Sequence, residues 1–314
     1  MQTTQAYFFS RDGTRLFERT WRPETAPTAA VLIIHGYAEH SGRYDWTARQ
    51  LVSRGYAVFA FDLRGHGRSD GDRVFIRSIN EYLDDVEAAL RRVAAETARV
   101  RDQAPGLPVF LLGHSMGGGV LALYACARIA CDRIAGDRVP RGEERAHVRG
   151  LIFSGAVLPA KGTSSGILPR IMLLLARLFP KLRLRALAAA DVSRDPAIVA
   201  DYDSDPLNYR GKMPLGLIGA MIRGGRFVEK RMHDLTLPLL ILHGSADQLV
   251  ATEGSQRLYD TAAALDKTLK IYEGLYHEIL NEPEKDLVIE DVGNWLDRHV
   301  APEAFPAQAS APSA

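Results

Sequence analysis

The sequence predicts an α/β protein: a mostly parallel central sheet with helices on both faces and an inserted, mainly helical cap. Three observations predict it. Short apolar runs alternate with stretches of helical spacing along most of the 314 residues, the pattern of a sheet covered on both sides. One such run, Val109 to Leu112, leads directly into Gly113-His114-Ser115-Met116-Gly117, a G-x-S-x-G turn from strand to helix. The stretch between the apolar runs near 151–154 and 239–242 is too long for a simple crossover and marks an insertion.

In chain order, Tyr7 to Phe9 and Leu16 to Trp21 flank the turn Arg11-Asp12-Gly13 and predict an antiparallel edge hairpin. Buried strands follow at Ala30 to Ile34, Tyr56 to Phe61, Val109 to Leu112, Leu151 to Phe153, Leu239 to Leu242 and Thr268 to Tyr272. Helical spacing runs through Tyr44 to Val52, Ile79 to Val100 and Met116 to Ile129. The polar segment Asp132 to Arg149 reads as a solvated surface loop. Residues 1–156 and 236–300 are thus expected to form the core, and 157–235 the cap. The Ala/Pro/Ser-rich residues 301–314 are expected to be a disordered tail. Within the cap, Ile167 to Phe179 is apolar on most faces, with Arg170, Arg177, Lys181, Arg183 and Arg185 interspersed or following. Two readings follow: a helix buried against the core, or a mobile lid that receives acyl chains or rests on a lipid interface.

Bulk properties exclude several classes. Hydrophobic content of 46% is ample for a sizeable core, so the chain as a whole is not disordered. A net charge of +1, from 39 basic and 38 acidic residues, provides no global field for nucleic acid, and no nucleic-acid partner is expected. Cys126 and Cys131 lie in no metal-ligand pattern and are expected to be buried, reduced thiols. No metal or other cofactor is expected. The amino terminus lacks the basic-then-apolar pattern of a leader, and no run reaches the ~18 apolar residues of a membrane span, so the expectation is a soluble, cytoplasmic protein.

The candidate chemistry starts from the serine. A sharp strand-to-helix turn requires small residues two before and two after it, and Gly113 and Gly117 meet that need. A serine hydroxyl becomes a good nucleophile when a base takes its proton and an anion orients that base. In this kind of sheet the acid and histidine should follow in chain order, each in a loop after a later strand. His243-Gly244-Ser245-Ala246-Asp247 places Asp247 just past one strand, with Glu273 and Glu278 as nearby alternatives for the acid. Glu273-Gly274-Leu275-Tyr276-His277 places His277 past the next. Of the other histidines, His35 and His66 precede the serine, His114 should point to the opposite side of the turn, and His299 falls on a terminal helix. The backbone N–H of Met116, at a helix amino end, and that of Tyr37, after the strand ending at His35-Gly36, are the expected oxyanion donors.

These segments together resemble the monoacylglycerol lipase and lysophospholipase branch of the α/β-hydrolases, sometimes grouped with the serine aminopeptidase-like family. The segment His35-Gly36-Tyr37-Ala38-Glu39-His40-Ser41-Gly42-Arg43-Tyr44 is similar to the oxyanion loop of that branch, and Phe61-Asp62-Leu63-Arg64-Gly65-His66-Gly67-Arg68-Ser69 to the turn after its next strand. The elbow through Gly118 and the loops ending at Asp247 and His277 match as well, so the resemblance spans nearly the whole core. It implies an α/β-hydrolase fold, a triad of Ser115, Asp247 and His277, and oxyanion amides at Tyr37 and Met116. It also implies that Glu39 and Arg43 organise the polar end of the site, the alternative being a salt bridge that only braces the loop. Asp205-Pro206-Leu207 resembles the family's return from cap to core, and Tyr37, in place of a small residue, is expected to narrow the entrance. The implied activity is cofactor-independent cleavage of single-chain lipid esters, foremost monoacylglycerol to glycerol and fatty acid, through an acyl-enzyme. A lysophospholipase or short-chain carboxylesterase is the alternative. A non-catalytic ligand-binding member is more remote, since it predicts a damaged triad. The implied partners are a small lipid or ester substrate and, through the cap, transient peripheral contact with a lipid interface.

Overall fold

A computed structural model describes residues 1–98, 107–130, 147–160, 166–184 and 186–300. Cys131, Arg185, most of the polar segment 132–149, the last two residues of the helix expected to reach Val100, and the tail 301–314 lie outside the described residues. The strands are β1 (Gln2–Phe9), β2 (Arg15–Arg22), β3 (Ala29–Ile34), β4 (Tyr56–Phe61), β5 (Val109–His114), β6 (Val148–Ser154), β7 (Leu239–Gly244) and β8 (Lys267–Tyr272). The α-helices are α1 (Asp45–Ser53), α2 (Ile79–Ala98), α3 (Met116–Tyr124), α4 (Ile167–Leu178), α5 (Pro196–Ser204), α6 (Leu215–Arg231), α7 (Glu253–Thr261) and α8 (Lys285–Val300).

Inner strands are continuously apolar because both of their faces are covered. Every residue of β3, β4 and β5 is buried, and the two-residue period of a strand divides their side chains between two cores. Ala30, Leu32, Ile34, Phe59 and Leu111 face one core, with α2, α3 and α6; Val31, Ile33, Val58, Phe110 and Leu112 face the other, with α1 and α8. The sheet order is β1-β2-β4-β3-β5-β6-β7-β8. Only the β1–β2 and β2–β4 pairings are antiparallel, so from β4 to β8 all the strands end on the same edge. This is the α/β-hydrolase arrangement that the sequence predicts.

Differences from the predicted elements have local causes. β1 starts at Gln2 rather than Tyr7, as an edge strand whose first residues are exposed on both sides and so show no alternation. The helix after Ser115 ends its α-helical part at Tyr124 and continues as π-turns over Ala125–Ala130, a stretch without Gly or Pro to mark the change. Cys126 is buried there, facing the first core.

Between β6 and β7 the described residues form α4, α5 and α6. Helix α6 packs on the first core, and α4 lies on α6 where a Cβ at Gly219 would come within 2.6 Å of the Ala176 Cβ. The reading of α4 as a helix buried against the core is not what the structure has. Ala176 is its single buried residue, while the stripe Ile167, Ile171, Leu174 and Leu178 is 75%, 48%, 57% and 58% exposed. Among the described residues no helix is long and apolar enough to cross a membrane.

Backbone packs closely on backbone where α3 meets β3. A Cβ at Gly117 would lie 2.2 Å from the Ile34 carbonyl oxygen and 2.4 Å from that of His35, both backbone atoms that cannot swing aside. Gly117→Ala is therefore expected to destabilise the fold by about 3 kcal/mol, the upper range for overpacking, as read by urea unfolding. At Gly225, inside α6, a Cβ meets nothing within 4 Å. Gly225→Ala should instead stabilise by about 0.7 kcal/mol through helix propensity.

Candidate active site

Ser115 stands between β5 and α3 at φ 52°, ψ −121°, a conformation that L-residues rarely adopt. Three backbone hydrogen bonds hold it: Ser115 N–H to Ser154 O (2.9 Å), and Gly119 N–H and Val157 N–H to Ser115 O (3.2 and 2.9 Å). The neighbouring glycines allow the turn, since a Cβ at Gly113 would sit 2.7 Å from Gly117 O. Ser115 is partly exposed where Gly113, His114 and Met116 are buried.

Asp247 and His277 come together in the loops after β7 and β8. His277 Nδ1 donates to Asp247 Oδ2 at 2.7 Å, which leaves Nε2 as the ring's basic nitrogen. The Asp247 side chain is wholly enclosed. Its Oδ1 accepts the N–H groups of Leu249 (2.8 Å) and Val250 (2.9 Å), and its Oδ2 accepts a second imidazole, His243 Nε2, at 3.0 Å. Burial alone would raise the Asp247 pKa, but the bonds from His243, His277 and Val250 reverse this and hold the carboxyl well below the usual carboxylate range. Neighbouring contacts carry the pair to the elbow. The His277 ring packs on that of His114, the residue before Ser115, at 4.8 Å between centroids. A Cβ at Gly155, one residue past the carbonyl that binds Ser115 N–H, would lie 3.2 Å from His277 Nδ1.

His114 has its Nδ1 on Ser154 O and Oγ at 3.0 and 3.2 Å. Burial, followed by the repulsion of His277, pushes its pKa down to about 4, so it is neutral at pH 7. Of the alternative acids, Glu278 binds Arg43 through both carboxylate oxygens, one contact at 2.8 Å, and accepts Asn281 Nδ2 at 3.0 Å. Glu273 is exposed.

The loop after β3 closes on the elbow from the other side. A Cβ at Gly36, the residue before Tyr37, would meet the Ser115 Cβ at 3.0 Å, while Met116 opens α3. Buried side chains hold this loop. His35 Nε2 accepts Leu63 N–H at 2.9 Å, Glu39 Oε1 accepts Gly36 N–H at 2.5 Å and the Tyr44 hydroxyl at 2.8 Å, and Asp62 Oδ1 accepts Ser41 N–H at 2.8 Å. The Tyr37 side chain is itself buried, edge-on to the rings of His66 and Tyr209.

Glu39 is buried and Arg43 is half-buried, and their partners are protein groups: Arg43 contacts Glu39 at 3.4 Å, pairs with Glu278, and lies 4.8 Å from the Tyr202 ring centroid. These contacts match the loop brace more closely than a set of free polar groups. The sequence reading missed several residues of the site. His243 carried a signal, a histidine closing an apolar strand four residues before the acid. The partners of Arg43 and His40, Glu278 and Asp205 (His40 Nε2 to Asp205 Oδ2, 2.8 Å), lie 235 and 165 residues away and carried none.

Comparison with known proteins identifies the family. The family model for serine aminopeptidase S33 matches residues 25–284. The chain is 40% identical over 288 residues to the monoacylglycerol lipase of Mycolicibacterium smegmatis, covering 92% of this chain and 95% of the relative. It is 34% identical to human monoglyceride lipase over 94% and 91% of the two chains. A soluble variant of monoglyceride lipase from Saccharomyces cerevisiae, solved with a substrate analog, superposes with a TM-score of 0.78 at 26% identity, covering 96% and 97% of the chains. By the extent of these matches and the architecture that carries them, the chain belongs to the serine aminopeptidase S33 family of α/β-hydrolases, in the branch that holds the monoacylglycerol lipases.

Proposed function

We propose that the protein is a serine ester hydrolase that cleaves monoacylglycerol to glycerol and fatty acid through an acyl-enzyme. The observation that carries the mechanism is the enclosed Asp247–His277 pair, at 2.7 Å, packed against the strained Ser115 turn. In this reading Ser115 Oγ attacks the ester carbonyl carbon while His277 Nε2 takes its proton. The amides of Tyr37 and Met116 stabilise the oxyanion of the tetrahedral intermediate. Collapse breaks the acyl–oxygen bond, and His277 returns the proton to the departing glycerol oxygen. Water, deprotonated by the same nitrogen, then attacks the acyl-enzyme and releases fatty acid and Ser115.

Residues 157–235 are proposed as the cap above this edge, with α4 as the part that meets lipid. The outward stripe of Ile167, Ile171, Leu174 and Leu178, with Arg170 and Arg177 on the same helix, suits an amphiphile in an aggregate. Glu39 and Arg43 are proposed as the brace of the oxyanion loop. Burial opposes ionisation of Glu39, but His114, Arg43 and His35, together with the Gly36 N–H, outweigh it and lower its pKa to about 2.

Three outcomes test these assignments. Ser115→Ala should lower kcat on monoacylglycerol by about 10⁴-fold or more and abolish labelling by a fluorophosphonate; labelling that persists would refute the nucleophile. The double change Ile171→Asp/Leu174→Asp should slow hydrolysis of micellar long-chain monoacylglycerol about tenfold, with a soluble short-chain nitrophenyl ester cleaved at the parental rate. An equal loss on both substrates counts against α4 as the lipid face. Because the Glu39 pKa falls from 4.5 unfolded to about 2 folded, its stabilisation is present above the unfolded value and fades as pH drops toward the folded one. Urea unfolding should show the parent losing about 2 kcal/mol more than Glu39→Gln between pH 6 and pH 3.

A further inference from the structure

One buried imidazole has no part in the chemistry described so far. His243 lies near the end of β7, fully enclosed, four residues before Asp247. Its Nε2 faces two acceptors, Asp247 Oδ2 at 3.0 Å and Val250 O at 3.1 Å, so that nitrogen carries hydrogen. Its Nδ1 sits 2.7 Å from the Ser255 Oγ of α7, a hydroxyl able to donate to it and fix the tautomer.

We propose that His243 is a positioning residue for ester hydrolysis: a second histidine on Asp247 that shares Oδ2 with His277, fixes the carboxylate plane and tempers the basicity of His277. This rests on the reading of Asp247 as the acid of the triad. With Oδ1 held by two backbone N–H groups and Oδ2 by two imidazoles, a rotation of the carboxylate breaks bonds at both oxygens. Without the His243 donor the plane loses one of its restraints. The same bond draws negative charge from Oδ2, so its removal leaves a stronger anion facing His277 Nδ1, favours the imidazolium and raises the pH at which His277 protonates. The other groups around His277 are His114 on β5, Glu278 with its Arg43 clamp, and Glu39 near His114. All four stay in place when His243 changes. Around Asp247, the two imidazoles are the only side chains that bond to it among the described residues.

The test is the pH profile of kcat/KM on a short-chain nitrophenyl ester, with active sites counted by fluorophosphonate titration. His243→Leu should lower kcat per titrated site about tenfold, the factor expected from one charge-assisted hydrogen bond. KM should be little changed, and the acidic limb should move to higher pH. His243→Gln, whose amide can donate to the same oxygen, should recover most of the rate and the parental limb. Equal rates per site in both variants with an unmoved limb would overturn the proposal and leave His243 a packing residue. If the leucine variant does not fold, Ser255→Ala, which frees the tautomer, should move the limb in the same direction; an unmoved limb again overturns the proposal. Asp247→Asn separates the two levels. An active Asp247→Asn variant sinks the triad and this inference with it, whereas an inactive one beside unaffected His243 variants sinks this inference alone.

Discussion

The close approach of α3 to β3 is the constraint on which the rest of the structure depends. Backbone meets backbone at Gly117, against the carbonyls of Ile34 and His35, and at Gly113, against Gly117. Only that spacing lets the chain reverse within one residue and leave Ser115 at positive φ, a strain of about 1–3 kcal/mol. The sheet sustains it because β5 is buried on both faces and flanked in parallel by β3 and β6, whose ends supply the contacts that hold the turn. Parallel strands then do the remaining positioning. Each ends on the same edge, so loops from β3, β7 and β8 reach one place although they are far apart in the chain.

Those loops bury polar backbone, and the side chains that satisfy it also tie the loops together. Asp62 accepts Ser41 N–H from one loop and Arg68 N–H from its own, while Glu39 accepts Gly36 N–H. The insertion joins the same network at two points. Tyr209 N–H reaches Ala38 O and Asp205 meets His40 on the Tyr37 side; Glu278 N–H reaches Val192 O and Arg194 binds Glu282 on the His277 side. The segment from Val192 to Tyr209 is thereby stitched to both loops, whereas α4 touches its support, α6, through small residues and turns its large apolar side chains outward. Exposed hydrophobic stripes are costly in water, so the asymmetry itself separates an anchored half of the insertion from a half suited to an apolar partner.

What was legible in the sequence followed from period and local spacing. Continuous apolar runs gave β3, β4 and β5 because two-sided burial leaves no alternation to misread, and the G-x-S-x-G turn was identifiable because its glycines answer a local steric need. The mate of each loop residue was not legible. Arg43 is four residues from Glu39 and 235 from Glu278, yet it pairs with both, and composition does not reveal a contact made across the sheet edge. The facing of α4 was hidden for a related reason: apolar residues occupy most of its circumference, so the stripe against α6 and the stripe against solvent read alike. The π-turns at Ala125–Ala130 were hidden because six residues are too few to distinguish the period.

Pairing also determines which carboxylate serves the histidine. Asp247, Glu278 and Glu39 all lie in the neighbourhood of His277 and His114, and chain proximity alone would favour Glu278, the residue next to His277. The arrangement gives Asp247 donors that neither glutamate shares. Glu278 faces a guanidinium with both oxygens and Asn281 with one; Glu39 takes a backbone N–H, a tyrosine hydroxyl and a longer contact from the same guanidinium; Asp247 takes two backbone N–H groups and two imidazoles. A carboxylate clamped to arginine has little of its charge left to offer a histidine, while one held by neutral donors keeps its charge and loses only its freedom to turn. Arg43 therefore does more than brace a loop. By occupying Glu278 it leaves His277 a single anionic partner, Asp247, on Nδ1, as the proposed triad requires.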